Sequence, residues 1–206
     1  MKIQELMKMN ENPKLDFKKI WRPDDYKGEL IKDIISIANG NPMTVGKEGL
    51  LVFGVSDDKK EINSITDDML FGKRNNITDI PSLEKDILIN LNNLVHPSFL
   101  SLKLEFLTSE KQERVFLIRI PSHPYLLSLS KDLVVGKEAH PKTYRKGTVF
   151  FRVGEQINIA SPEVIKAFDK QYKIESKSKD VIINNNDNTK IAMQNSINNG
   201  TQTFNF

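Results

Sequence analysis

Apolar residues at Leu30, Ile31, Ile34, Ile35, Ile37 and Ala38 recur at helical spacing, which predicts a core helix opened by Gly28-Glu29 and closed by Asn39-Gly40. The period then changes. Leu50-Leu51-Val52-Phe53-Gly54-Val55 is a short run of strand formers stopped by the polar turn Ser56-Asp57-Asp58-Lys59, and it reads as a buried strand. Leu83, Ile87, Leu88, Leu91 and Leu94 return to the helical period between Pro81-Ser82 and the His96-Pro97 break. Leu102, Leu104 and Phe106 alternate with polar neighbours, Val115 to Ile118 runs on to Pro121, and Ser109 to Gln112 between them predicts a hairpin turn. Thr148 to Val153 reads as another strand, closed by Gly154. In the last helix Ser161 suits the cap, Pro162 the first turn and Glu163 the positive end of the dipole.

That helix fades into Glu175-Ser176-Lys177-Ser178-Lys179, so the pattern predicts one folded domain over 1–175 and a linker and tail over 176–206. The tail is dominated by asparagine, and its scattered apolar residues cannot hold a separate core. Two readings of it stay open. One is plain disorder; the other is a strand-adding segment from Ile191 to Phe206 that pairs with a partner's sheet edge or assembles copies of the chain.

Composition narrows the function classes. A chain of 206 residues with 38% hydrophobic content suits one core. The net charge of +3, from 30 basic and 27 acidic residues, is only mildly basic, so a nucleic-acid footprint has to come from clustering. The lack of cysteine excludes disulfides, thiolate zinc sites and a cysteine nucleophile. No run approaches the ~20 apolar residues of a membrane span, and Lys2, Glu5 and Lys8 interrupt the first ten residues. The expected location is cytoplasmic, with no membrane partner.

Candidate chemistry begins at Glu11-Asn12-Pro13-Lys14-Leu15-Asp16-Phe17-Lys18. In an extended segment Leu15 and Phe17 point into the core while Asp16 and Lys18 share the other face, and Glu11, before the Pro13 bend, can return to that face. Asp57-Asp58 lies in a turn after a buried strand, where sites are commonly built. Carboxylates within ~4 Å repel by roughly 4 kcal/mol per pair at an effective dielectric of 20, so such a cluster needs a cation or a raised pKa. Carboxylate oxygens suit magnesium or manganese, and Lys18 could add positive charge. The plain alternative is a set of solvated turn residues. Lys137, Lys142, Arg145, Lys146 and Arg152, interleaved with His140, Tyr144, Phe150 and Phe151, form the densest basic and aromatic stretch. There Arg145 and Lys146 could grip phosphates and Tyr144 could stack on a base, with the phenylalanines read as core.

Four pieces in order resemble the Schlafen/AlbA_2 family. Glu11 to Lys18 looks like its acidic residue followed by Glu-Phe-Lys, and Ile37-Ala38-Asn39-Gly40 like its helix end. Gly49 to Asp58 is similar to its Gly-Val-Asp-Asp turn. Tyr144 to Gly154 and Ala160-Ser161-Pro162-Glu163 are similar to its closing strand and last helix start. The resemblance spans roughly Lys8 to Tyr172 and implies an α+β fold, a mixed sheet flanked by helices, with a non-globular tail. It further implies a metal-dependent RNA endonuclease of a defence or toxin-like kind. Glu11, Asp16 and Asp57 would hold Mg or Mn, with Asp58 as the fallback third ligand, and Lys18 would steady charge. Lys142, Tyr144, Arg145, Lys146 and Arg152 would hold nucleic acid, RNA before DNA. The competing expectations are a non-catalytic DNA- or RNA-binding regulator, and an adaptor acting through its tail. Three departures stand out: Asp16 in place of glutamate, Ser56 at the first acidic turn position, and Asn41 to Glu48 inside the usual Gly-Gly join.

Other motifs fail on chemistry. Gly40 and Gly46 are spaced one residue too far for a phosphate loop, and Glu48 stands where Ser or Thr must meet magnesium. His96, His123 and His140 have no metal-like spacing and read as exposed loop residues, with His123 or His140 the candidates for a general acid.

Overall fold

The computed structural model describes residues 2–21, 26–56, 58–59, 61–72, 77–99, 101–136 and 141–177. In chain order the elements are α1 (Ile3–Met7), β1 (Leu15–Lys18), α2 (Ile31–Asn39), β2 (Gly49–Phe53), α3 (Asp67–Phe71) and α4 (Ile80–Leu94). There follow β3 (Val95–His96), β4 (Lys103–Thr108), β5 (Arg114–Ile120), β6 (Ser128–Leu129), β7 (Leu133–Val135), β8 (Lys142–Tyr144), β9 (Phe150–Val153) and β10 (Gln156–Ile159). A last helix, α5, covers 162–177.

The central sheet runs β1-β2-β5-β4, with β1 parallel to β2 and the other pairs antiparallel. Both of its faces are covered, which is why Leu50 to Val55 and Val115 to Ile118 are unbroken apolar runs rather than alternating ones. On one face Leu51, Phe53, Phe116 and Ile118 pack against α2 and α4. On the other, Leu15, Phe17, Val52, Val115 and Leu117 pack against Ile3 and Leu6 of α1. The architecture is α+β, a mixed sheet flanked by helices, as the sequence pattern and the resemblance predict.

The exit of α2 ties the remaining strands to this sheet. Asn39 Nδ2 donates to the Leu127 and Phe150 carbonyls at 2.9 and 2.7 Å, and its Oδ1 accepts from the Leu127 amide at 2.9 Å. Gly40 follows with φ of 61°, and its carbonyl accepts from the Arg152 amide at 2.7 Å. A Cβ there would lie 2.3 Å from Thr44 Oγ1 and 2.7 Å from Lys14 Cε, so only glycine leaves room. Lys14, itself buried, donates from Nζ to the Ala38 carbonyl at 2.6 Å, a cation placed on the negative end of α2. Burial holds its amine down at about 8. At the other end of the helix, a π-helical turn, Tyr26–Leu30, brings Gly28 against β7: a Cβ on Gly28 would meet the Val134 carbonyl oxygen at 2.4 Å.

Among the described residues no helix is long and apolar enough to cross a membrane. The expected tail over 176–206 falls, from residue 178 onward, outside the described residues, as do Asp57, Lys137 and His140.

Candidate nucleic-acid interface and buried charge centre

β1 places its side chains alternately, and Asp16 falls on the face turned to α2. That face is closed. Asp16 is 5% exposed, so the expectation of a solvated turn carboxylate does not hold for it. Its Oδ1 lies 3.0 Å from Arg152 Nη2, and its Oδ2 lies 2.9 Å from Lys18 Nζ. Lys18 Nζ also stands 3.5 Å from Asp33 Oδ2, on α2. Burial works against the Lys18 charge, but Asp33 and Asp16 outweigh it and its amine titrates above the usual value. Asp33 is pushed up to about 6, chiefly by burial, with Lys18 opposing and Asp16 adding to the rise.

Glu11 returns to this centre as its place before the Pro13 bend suggests. Its Oε1 accepts from the Phe17 amide at 2.8 Å. Burial raises its carboxyl, the Phe17 amide opposes, and the Asp16 and Glu155 carboxylates raise it further, so Glu11, Asp16 and Lys18 do meet at one end of the sheet. Asp58 sits in its own turn, accepting from Ser56 Oγ at 2.7 Å. The next residue, Lys59, donates to the Met9 carbonyl at 2.8 Å and lies over the Phe17 ring, on the face of β1 opposite to Asp16.

Magnesium or manganese asks for hard oxygen donors with free lone pairs, arranged around one point. Asp16 already spends one oxygen on Arg152 and the other on Lys18. Among the described residues no group of three His, Asp or Glu could hold an ion. The residues described therefore do not by themselves make a metal site.

Arg152 needs the clearest correction. It was grouped with the phosphate-gripping cations, yet it is 1% exposed, with Nη2 shared between Asp16 and the Glu155 carbonyl. The period of β9 carries the signal: Arg152 lies two residues from the buried Phe150 and must point to the same side. His123 is also not an exposed loop residue. It is 5% exposed against the Phe99 ring, and burial together with the Lys14 charge holds it down at about 4, so it is neutral at pH 7.

The remaining basic residues do reach the surface. β8 pairs with β7, and Lys142, Arg145 and Lys146 are exposed along it and the turn after it. Arg145 Nη1 lies 2.8 Å from Asp132 Oδ2, with the arginine side chain 81% exposed. Asp132 also accepts from the Lys146 amide at 2.8 Å, and these two contacts hold its carboxyl below the usual range. The Arg145 carbonyl accepts from Thr148 Oγ1 at 2.6 Å and from the Thr148 amide, which fixes the turn. Tyr144 is half-buried, its ring edge on Phe150, and Lys142 Nζ lies 4.9 Å from its centroid.

The family profile described as Schlafen, AlbA_2 matches residues 11–161, from the first acidic residue to the cap of α5. The chain belongs to the Schlafen/AlbA_2 family. A search of the curated proteins finds no match. Membership ties this Schlafen/AlbA_2 domain to a nucleic-acid-related function and covers every residue of the charge centre and of the β8 turn. Asp33, Lys14 and Asn39 are parts of the Schlafen/AlbA_2 domain's framework that motif reading passed over. The only local sign of Asp33 is its place one turn before the fully buried Ile37.

Proposed function

We propose that this chain is a nucleic-acid-binding domain that takes RNA along β8 and the following turn. Lys142, Arg145 and Lys146 contact backbone phosphates, and Tyr144 lies beside a base. The observation that carries this reading is the exposure of three cations within five residues next to a half-exposed tyrosine. An exposed ion pair such as Arg145 with Asp132 is worth only ~0–1 kcal/mol, so Arg145 can exchange its carboxylate for a phosphate at little cost. A narrow basic ribbon with one aromatic side chain suits unstacked single strands better than a rigid duplex. DNA single strands share that chemistry, apart from the 2′-hydroxyl.

The test is fluorescence anisotropy with labelled single-stranded RNA, single-stranded DNA and duplex, using the native chain and a K142A/R145A/K146A variant. The variant should bind RNA at least about tenfold more weakly, a loss of ~1.4 kcal/mol. Equal binding by the two proteins would remove this surface from the account.

A second reading, cleavage of RNA with a divalent metal, is favoured by one observation: Glu11 and Asp16 lie close enough for Asp16 to raise the Glu11 carboxyl, with the partly exposed Lys18 amine beside them. It requires a further carboxylate to join this pair, and Asp57, outside the described residues, is the one the resemblance supplies. Incubation with tRNA, rRNA and single-stranded DNA, in manganese or EDTA, tests it beside Glu11→Gln. This variant is preferable to Asp16→Ala, which would strand Arg152 in the core. Cutting that is lost both in EDTA and in the variant supports the second reading; retained binding with no product in manganese refutes it.

A further inference from the structure

One face of α4 is left uncovered and has a pattern of its own. Its inner stripe, Leu83, Ile87 and Leu91, is buried in the main core. Away from that stripe Ile80, Pro81, Glu84, Lys85, Leu88 and Ile89 line an open groove along the helix. Pro81, Lys85 and Ile89 are exposed, Ile89 by 51%, a large apolar side chain in water at the middle of an ordered helix. Glu84 and Lys85 form no ion pair among the described residues.

The order of these residues is self-complementary. In an antiparallel crossing about a two-fold axis passing between Glu84 and Lys85, Ile80 comes level with the partner's Ile89 and Pro81 with the partner's Leu88. Each Glu84 comes level with the partner's Lys85. Apolar side chains thus meet apolar ones on both flanks, and two opposite-charge pairs meet at the centre, the arrangement an isologous interface requires. A parallel arrangement would set each Glu84 level with the partner's Glu84 and each Lys85 level with the partner's Lys85, which repel.

We propose that this face of α4 is a self-association surface, on which a second copy of the chain seats its own α4 in the antiparallel sense. A single helix face falls well short of the ~20–30 residues a side of a standard interface, so the dimer is a weak one that forms in the range of tens of micromolar. The proposal is independent of the nucleic-acid reading, since the residues it uses are remote in sequence from β8.

Sedimentation equilibrium of the full chain from about 5 to 500 µM tests it, with E84K, K85E and the E84K/K85E double reversal. The native chain should move from monomer towards dimer mass across the range. Each single reversal should weaken association by about tenfold or more, because it turns attraction into repulsion at two symmetric places, and the double reversal should return it to within about threefold of native. Circular dichroism checks that the variants keep the fold. A chain that stays monomeric throughout, or a double reversal as weak as the single ones, overturns the proposal. So does association that ignores the reversals and disappears when residues after Lys177 are deleted, which would assign it to the tail.

Discussion

Arg152 Nη2 lies 3.0 Å from Asp16 Oδ1, joining residues 136 positions apart, both almost wholly buried. The pair fastens the closing strand β9 to the first strand of the sheet through charge rather than apolar contact alone. Two buried ions are tolerable only when each satisfies the other, so removing one partner costs far more than the pair contributes.

Arg152→Ala should accordingly lower stability by about 3–5 kcal/mol, because it leaves Asp16 facing the core with only Lys18. The double variant Asp16→Leu with Arg152→Met, which removes both charges and keeps the volume, should recover most of that loss. Urea unfolding of the four proteins measures the cycle. A loss below about 1 kcal/mol in Arg152→Ala would show that the pair is not the fastening described here.

Asp33 gives the fold a pH dependence of definite sign. Its carboxyl is raised from 3.8 to about 6 in the folded chain, so between these values the folded state holds the proton that the unfolded state has released. Its contribution is therefore fully present below about 3.8 and is lost as pH rises through about 6. Asp33→Asn, which cannot ionise, should gain on the native chain as pH rises from 4 to 7 in parallel urea titrations. A difference between the two that is flat with pH, or that runs the other way, contradicts the buried placing of Asp33.

Asn39 is predicted to matter more than its size suggests. Its side chain satisfies two carbonyls and one amide in the interior, so Asn39→Ala should cost about 2–4 kcal/mol. It should also speed hydrogen exchange at the Leu127 amide relative to the sheet amides. A variant within about 0.5 kcal/mol of native would mean that water replaces these contacts freely.

The long patterned elements were legible in the sequence. α2, α4, β2, the β4–β5 hairpin and β9 each carry enough periodic apolar residues to declare their type, and the sheet's two covered faces explain the unbroken runs. α1 was not, because Ile3 and Leu6 are set among Lys2, Glu5 and Lys8 in five helical residues, too few for a period to show. β6, β7 and β8 have two or three residues each and exist through long-range pairing alone. For the site, the meeting of Glu11, Asp16 and Lys18 followed from strand alternation and the Pro13 bend. What alternation could not tell was which face is closed: α2 lies over the one bearing Asp16, and that brings in Asp33 and Arg152 as partners. Arg152 was misplaced by counting cations along the chain, where the two-residue period from Phe150 would have turned it inward.

The central claim is that the exposed cations of β8 and its turn hold nucleic-acid phosphates, and salt dependence tests it most directly. Binding of single-stranded RNA should weaken with salt on a log–log slope that falls by ~0.7 for each phosphate contact removed, so the K142A/R145A/K146A variant should show a slope shallower by about 2. An unchanged slope in that variant would contradict the account.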